Sequence, residues 1–261
     1  MTRTGRLLIV TPHPSGALPA DVLHDMLGAE MFDSGAREAL LRRVFLDGDP
    51  FTDLIFHRPG ARHVQAPWSR FTVDLNRDRD DREDNGVVKL TTFDRQALYP
   101  EGFTLTGEAR EARLRRAWDP FHALLDAEAR EAALMIVGHA MAPTGPALGP
   151  DQGTPRPALC LMTGTPAEPT VPEALWAPLQ QAAVQAFAPV LGGSAIQGVT
   201  VGVPWTTDTI SRRLSRAGTP AFGLEVNSGL YLDGGQPRGG VVRDLNAAFI
   251  HFADAALALI G

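Results

Sequence analysis

The sequence predicts one α/β domain, a sheet of buried strands covered by amphipathic helices. Three observations lead there. Short apolar runs bounded by Gly or Pro recur at Leu7–Thr11, Leu134–Val137, Pro157–Met162, Val199–Val203 and Ala221–Val226, as strands buried on both faces do. Stretches with the apolar spacing of helices lie between them. The 261 residues, 44% hydrophobic and 21% charged, can bury a large core, and no repeat or linker divides them. Residues 1–261 are therefore expected to form a single domain.

Charge and cysteine content exclude several classes. A net charge of −6 with no long basic cluster argues against nucleic acid or an acidic membrane surface as partner. Cys160 is the sole cysteine, so no internal disulfide can form, and its apolar neighbours suit a buried structural thiol. The apolar run within Met1–Val10 is too short for a signal peptide, and no run approaches the ~20 residues that span a bilayer. A soluble, cytoplasmic protein is the expectation. Lys89 is the one lysine among arginines, a bias that suggests no function by itself.

In chain order, Leu7–Thr11 reads as a strand that ends in a rigid turn holding His13. A histidine just beyond a strand end can line a ligand crevice or be a plain turn residue. Pro19–Glu30 and Gly35–Phe45 read as helices. Asp47-Gly48-Asp49-Pro50 then offers either an Asx-turn or hard oxygen ligands. His63–Ala66 and Phe71–Leu75 read as strands. In the second, Phe71, Val73 and Leu75 alternate with Thr72, Asp74 and Asn76. Arg70, Asn76 and Arg77 at its ends suit a carboxylate, unless the arginines pair with Asp74, Asp78 or Asp80. Gly107–Ala133 is the longest helical stretch, which Pro120 should kink or divide. His122 on it suits a core position.

Leu134–Val137 is a second strand that delivers a histidine, His139, at its carboxyl end. Thr144–Pro157, dense in Gly and Pro, reads as a long loop. Glu173–Phe187 is an amphipathic helix, and Asp208–Arg216 is another, with Thr207 or Asp208 as N-cap. That second helix carries Arg212, and its amino end can favour an anion. Glu225 falls inside the strand Ala221–Val226, where an unpaired buried carboxylate is costly, so a polar site is expected around it. Val241–Ile260 closes the chain as an apolar helix with His251 outward.

No Gly-x-Ser-x-Gly elbow, phosphate loop or dinucleotide-binding glycine pattern is present. Metal-assisted hydrolysis is compatible with the residues. Two histidines and a carboxylate, His13, Asp49 and His139, match the ligand set of a catalytic zinc site, with Glu225 as proton acceptor.

The segments Thr11-Pro-His-Pro-Ser-Gly, Asp47-Gly-Asp, Ser69-Arg-Phe-Thr-Val-Asp-Leu-Asn-Arg-Asp, Trp118-Asp-Pro-Phe-His, Gly138-His-Ala-Met and Leu224-Glu-Val-Asn stand in an order that resembles the N-formylglutamate amidohydrolase family. The resemblance implies a zinc-carboxypeptidase-like fold, a mixed sheet of about eight strands with helices on both faces. It implies one Zn2+ per chain on His13, Asp49 and His139, with Asp47 as reserve carboxylate. Glu225 takes the place of the general base. Asn76 and Arg77, helped by Arg70 and Arg212, take the substrate's carboxylates. The implied reaction is amide hydrolysis of a small anionic N-acyl amino acid such as N-formyl-L-glutamate. The alternatives are another N-acyl substrate, or a module that binds an acidic metabolite without chemistry. Three departures bear on specificity: Pro14 follows His13, Gly138 and Ala140 flank His139 where the family has Asp and Ser, and Trp205–Asp208 replaces a Tyr-x-Gly-Gly turn.

Overall fold

In the computed structural model, which describes residues Thr4–Ile260, a six-stranded mixed sheet runs in the order β2-β1-β3-β8-β4-β7. The start of the amino-terminal run discussed above lies outside those residues. The strands are β1 (Leu7–Thr11), β2 (Arg62–Gln65), β3 (Leu134–Met141), β4 (Leu159–Met162), β7 (Val199–Val201) and β8 (Ala221–Asn227). The short pairs β5–β6 (Gly164–Thr165 and Glu168–Pro169) and β9–β10 (Leu232–Asp233 and Gln236–Pro237) stand apart from the sheet. β2, β1, β3 and β8 run parallel, whereas β4 is antiparallel to β8.

The helices are α1 (Ala20–Leu27), α2 (Ser34–Leu46), α3 (Thr52–Ile55), α4 (Gly107–Arg113), α5 (Asp119–Ala129), α6 (Trp176–Leu191), α7 (Thr209–Arg216) and α8 (Gly239–Ile260). Strand alternation sends side chains to two cores. Leu7, Ile9, Leu134, Ile136, Phe222 and Leu224 pack with α6 and α8. Leu8, Val10, Met135 and Val137 pack with Leu114, Phe121 and Leu125 and with Ile210 and Leu214 of α7. Helices thus cover both faces, which is why the strands read as continuous apolar runs. None of the described helices is long and apolar enough to cross a membrane.

The structure corrects four expectations. The central sheet has six strands, not eight. Phe71–Leu75 is a series of turns, not a strand. Its alternation arises because Phe71 packs with Val22, Met26 and Val44, while Val73 and Leu75 join the core under α5. The Gly107–Ala133 helix is divided upstream of Pro120, by a π-helical turn at Leu114–Trp118, and Pro120 sits in the first turn of α5, where its missing N–H costs nothing. β3 runs on to Met141, so His139 lies within the strand and not after it.

Candidate active site

β1 ends at Thr11, and the following Pro-His-Pro turn buries His13. A second turn, after α2, is pinned against it. The Asp49 amide donates to the His13 carbonyl (3.1 Å), the Thr52 hydroxyl to the Asp49 carbonyl (2.7 Å), and the Tyr231 hydroxyl to the Pro50 carbonyl (2.9 Å). The approach favours glycine at 48, where a Cβ would stand 3.1 Å from the His13 carbonyl oxygen. Phe51 completes the turn at φ 64°, a left-handed conformation that costs a non-glycine residue roughly 1 kcal/mol. Backbone strain of this kind collects where a side chain must be aimed, and here it lies two residues from Asp49.

His13, Asp49 and His139 converge. Their ligand atoms lie within 4.8 Å of one another, and the two imidazole centroids are 5.4 Å apart. Asp49 Oδ2 stands 3.0 Å from Nδ1 of both rings. On its other side His13 Nε2 meets Asp74 Oδ1 at 2.8 Å. An ionised Asp74 can only accept, so it engages the Nε2 proton and leaves Nδ1 as the nitrogen that faces Asp49 and the point of convergence. Two imidazole nitrogens and one carboxylate, buried and aimed at one point, fit a divalent ion of the zinc type. Asp74 behind His13 is the outer partner that fixes ring and tautomer in such sites.

The charges respond to this crowding. Burial by itself would raise the Asp49 carboxyl, but His13, His139 and Arg70 outweigh it and hold the group well below the usual range. Burial lowers the basicity of His139, yet its bond to Asp49 and the fields of Glu225, Asp49 and Asp208 prevail and bring it to about 9. Asp74 is likewise held down, against desolvation, by Arg70, Lys89 and His13.

Asp74 is a hub. Arg70 reaches its Oδ2 with Nε (3.3 Å) and Nη2 (2.9 Å), and Lys89 Nζ lies 3.0 Å from the same oxygen. Fully buried, Lys89 also donates to the Asn85 side-chain and backbone oxygens (2.7 and 3.0 Å) and to the Gly86 carbonyl (3.0 Å). A compact ammonium serves four acceptors around one point, which a planar guanidinium does not. Asn76 ties the hub to α7: its Oδ1 accepts from the Ile210 amide (3.1 Å), and its Nδ2 lies 3.5 Å from His139 Nε2. The Trp118 indole donates to the Arg77 carbonyl (3.1 Å) and His122 Nε2 bonds the Leu75 carbonyl (3.0 Å), so the π turn and α5 hold the 75–77 turn in place.

Glu225 is paired in register with His139 on β3 and with Cys160 on β4. Its Oε2 is buried without a hydrogen-bond partner. Burial, with Asp49 adding and His139 opposing, pushes its carboxyl up to about 7. A cavity of about 280 Å³ opens over these groups, lined among others by Asp49, Arg70, Asn76, Arg77, His139 and Glu225. The loop 144–157 supplies Pro146, Leu148, Pro150 and Arg156 to its wall.

Of the residues singled out in the sequence, His13, Asp49 and His139 therefore meet, with Glu225, Asn76 and Arg77 at the same cavity. Asp47 lines the cavity but lies outside the histidine cluster. Arg70 is not a free cation: the pairing with Asp74 that the sequence left open does form, inside the protein, and Asp49 shares it. Arg212 is absent from the cavity wall and faces Asp78 at 3.7 Å, because the buried side of α7 is made by Ile210, Ser211 and Leu214. The place of Asp74 behind His13 and of Lys89 behind Asp74 was missed. The signal for Lys89 was its being the one lysine in a chain that otherwise uses arginine.

Known proteins resemble this chain in sequence and fold. The model of the N-formylglutamate amidohydrolase family matches residues 5–232. The N-formylglutamate deformylase of Pseudomonas putida is 38% identical over 74 residues, which are 26% of this chain and 28% of that protein. Its counterpart in Pseudomonas aeruginosa is 32% identical over 130 residues, 44% of this chain and 42% of that one. The chain thus matches less than half the length of these relatives. A solved structure of an N-formylglutamate amidohydrolase from Ralstonia eutropha superposes with a TM-score of 0.67 at 17% identity, over 95% of this chain and 93% of that one. A gene product of Agrobacterium tumefaciens does so with a TM-score of 0.60 at 16% identity, over 98% and 89%.

Proposed function

The chain belongs to the N-formylglutamate amidohydrolase family, and from that premise we propose that it hydrolyses the amide bond of an N-acyl amino acid. The observation that carries the proposal is the meeting of His13, Asp49 and His139 at the cavity that Glu225, with an unpaired carboxylate oxygen, also lines. His13, Asp49 and His139 would hold one zinc ion, which as a Lewis acid supplies polarisation of the acyl carbonyl and a more acidic water. Glu225, raised to about 7, takes the proton of the attacking water on its free Oε2. The water oxygen bonds to the acyl carbon, Glu225 returns the proton to the amide nitrogen, and the C–N bond breaks to give a carboxylic acid and an amine. Arg77 binds the amino acid's carboxylate. Its Nε and Nη1 are spent on the carbonyls of Asn85 (2.8 Å) and Asn76 (2.9 Å), neutral groups that leave its charge available. Asp74, itself anchored by Lys89, orients the His13 ring.

N-formyl-L-glutamate, the compound in the relatives' names, is the first substrate to assay. Glu225→Gln is expected to keep zinc at one per chain and lower turnover ~100-fold or more. Full turnover at equal zinc content would remove Glu225 from the mechanism. A chain that takes up no zinc when supplemented would instead be a module that binds an acidic metabolite without chemistry.

A further inference from the structure

Resting on the hydrolase reading above, we propose that the preferred substrate carries a single carboxylate and an uncharged, apolar side chain, in place of the second carboxylate of N-formylglutamate. A dianion needs two cations at its site. Three arginines line the cavity, Arg70, Arg77 and Arg156, and two of them are already neutralised. Arg70 spends Nη1 on Asp49 (3.2 Å) and both Nε and Nη2 on Asp74, and its guanidinium lies 4.8 Å over the Phe93 ring. Arg156 is held by Asp151 through Nε (2.7 Å) and Nη2 (2.8 Å), the bidentate geometry a substrate carboxylate would otherwise use. Its face is covered by the Trp205 ring at 4.4 Å. Only Arg77, bonded to carbonyls and without an ion pair among the described residues, keeps a charge for the ligand.

The remaining charges of the wall have the wrong sign for a second carboxylate. Asp47, Asp94 and Asp208 line the same cavity. A further anion beside these carboxylates would be repelled. What the site offers beside Glu225 is apolar. Cys160, in register with Glu225, packs with Met141, Met162 and Trp205. Met141 lies two residues past His139 on the same strand, so its side chain falls on the face that carries the reacting groups. Methionine and tryptophan in that place make a deformable apolar wall suited to an aliphatic side chain.

The test compares kcat/KM of the zinc-loaded protein for N-formyl-L-glutamate, its neutral isostere N-formyl-L-glutamine, and N-formyl-L-leucine, with the released amine as readout. The leucine compound should exceed the glutamate compound at least tenfold, with glutamine between them. A glutamate compound that matches or exceeds the leucine one overturns this proposal while the hydrolase reading stands. No hydrolysis of any of the three, at one zinc per chain, removes the hydrolase reading and this proposal with it.

Discussion

Raising the pH from 6.5 to 8 should destabilise the metal-free protein by roughly 1 to 2 kcal/mol, and His139 sets that figure. Its pKa lies at 6.5 unfolded and about 9 in the folded chain, where Asp49 Oδ2 stands 3.0 Å from Nδ1. The folded state therefore keeps a proton that the unfolded state releases. This stabilisation is complete below pH 6.5 and lost as pH rises through about 9. At ~1.4 kcal/mol per pH interval of full proton difference, the partial difference near 6.5 brings the sum to that range. Other groups nearly cancel one another within this window. Glu225, raised to about 7, adds to the loss up to and through neutrality, whereas burial, against the pull of Asp74, brings Lys89 to about 8, and that works in the opposite sense as pH approaches and passes 8. Desolvation lowers His122 to about 4 and also lowers His63, so both oppose the loss weakly near pH 6.5. Urea denaturation in chelator at closely spaced pH values reads the slope directly. His139→Asn should flatten it, and saturating zinc should reverse it, because a bound ion favours the deprotonated ligands. Chelated protein equally stable at pH 6.5 and 8 would refute the buried pairing of His139 with Asp49.

Two further outcomes follow from the surroundings of the cluster. Lys89→Met leaves buried Asp74 without one of its cations and two more oxygens, Asn85 Oδ1 and the Gly86 carbonyl, without a donor, so a loss of about 3–5 kcal/mol is expected in urea titrations. The same variant should release zinc to a colorimetric chelator 10–100-fold faster, and an unchanged release rate would confine Lys89 to a structural role. At Gly138, an added Cβ would meet the Phe56 ring at 2.2 Å. Gly138→Ala should therefore cost about 1–3 kcal/mol, and Phe56→Leu in the same chain should recover part of it; an unaffected single variant would show that the ring can move aside.

The sequence by itself determined the α/β class, most element positions and the identity of the converging groups. Buried strands impose local composition, and histidines beside Pro or Gly next to apolar runs are legible without coordinates. Reading Phe71–Leu75 as a strand failed because its alternation serves two separate cores, a distinction that exists only once α2 and α5 are in place. Tertiary structure also decided which acid joins the histidines. Asp47 and Asp49 are equivalent on paper, but the hydrogen bonds that hold the 49–52 turn against His13 and Tyr231 aim only Asp49 inward. The same holds for the arginines. Whether a guanidinium meets substrate or protein depends on carboxylates far away in the chain: Asp49 sits 21 residues from Arg70, and Asp78 lies 134 positions before Arg212. Charge pairing is set by distance in space, and periodicity along the chain does not encode it.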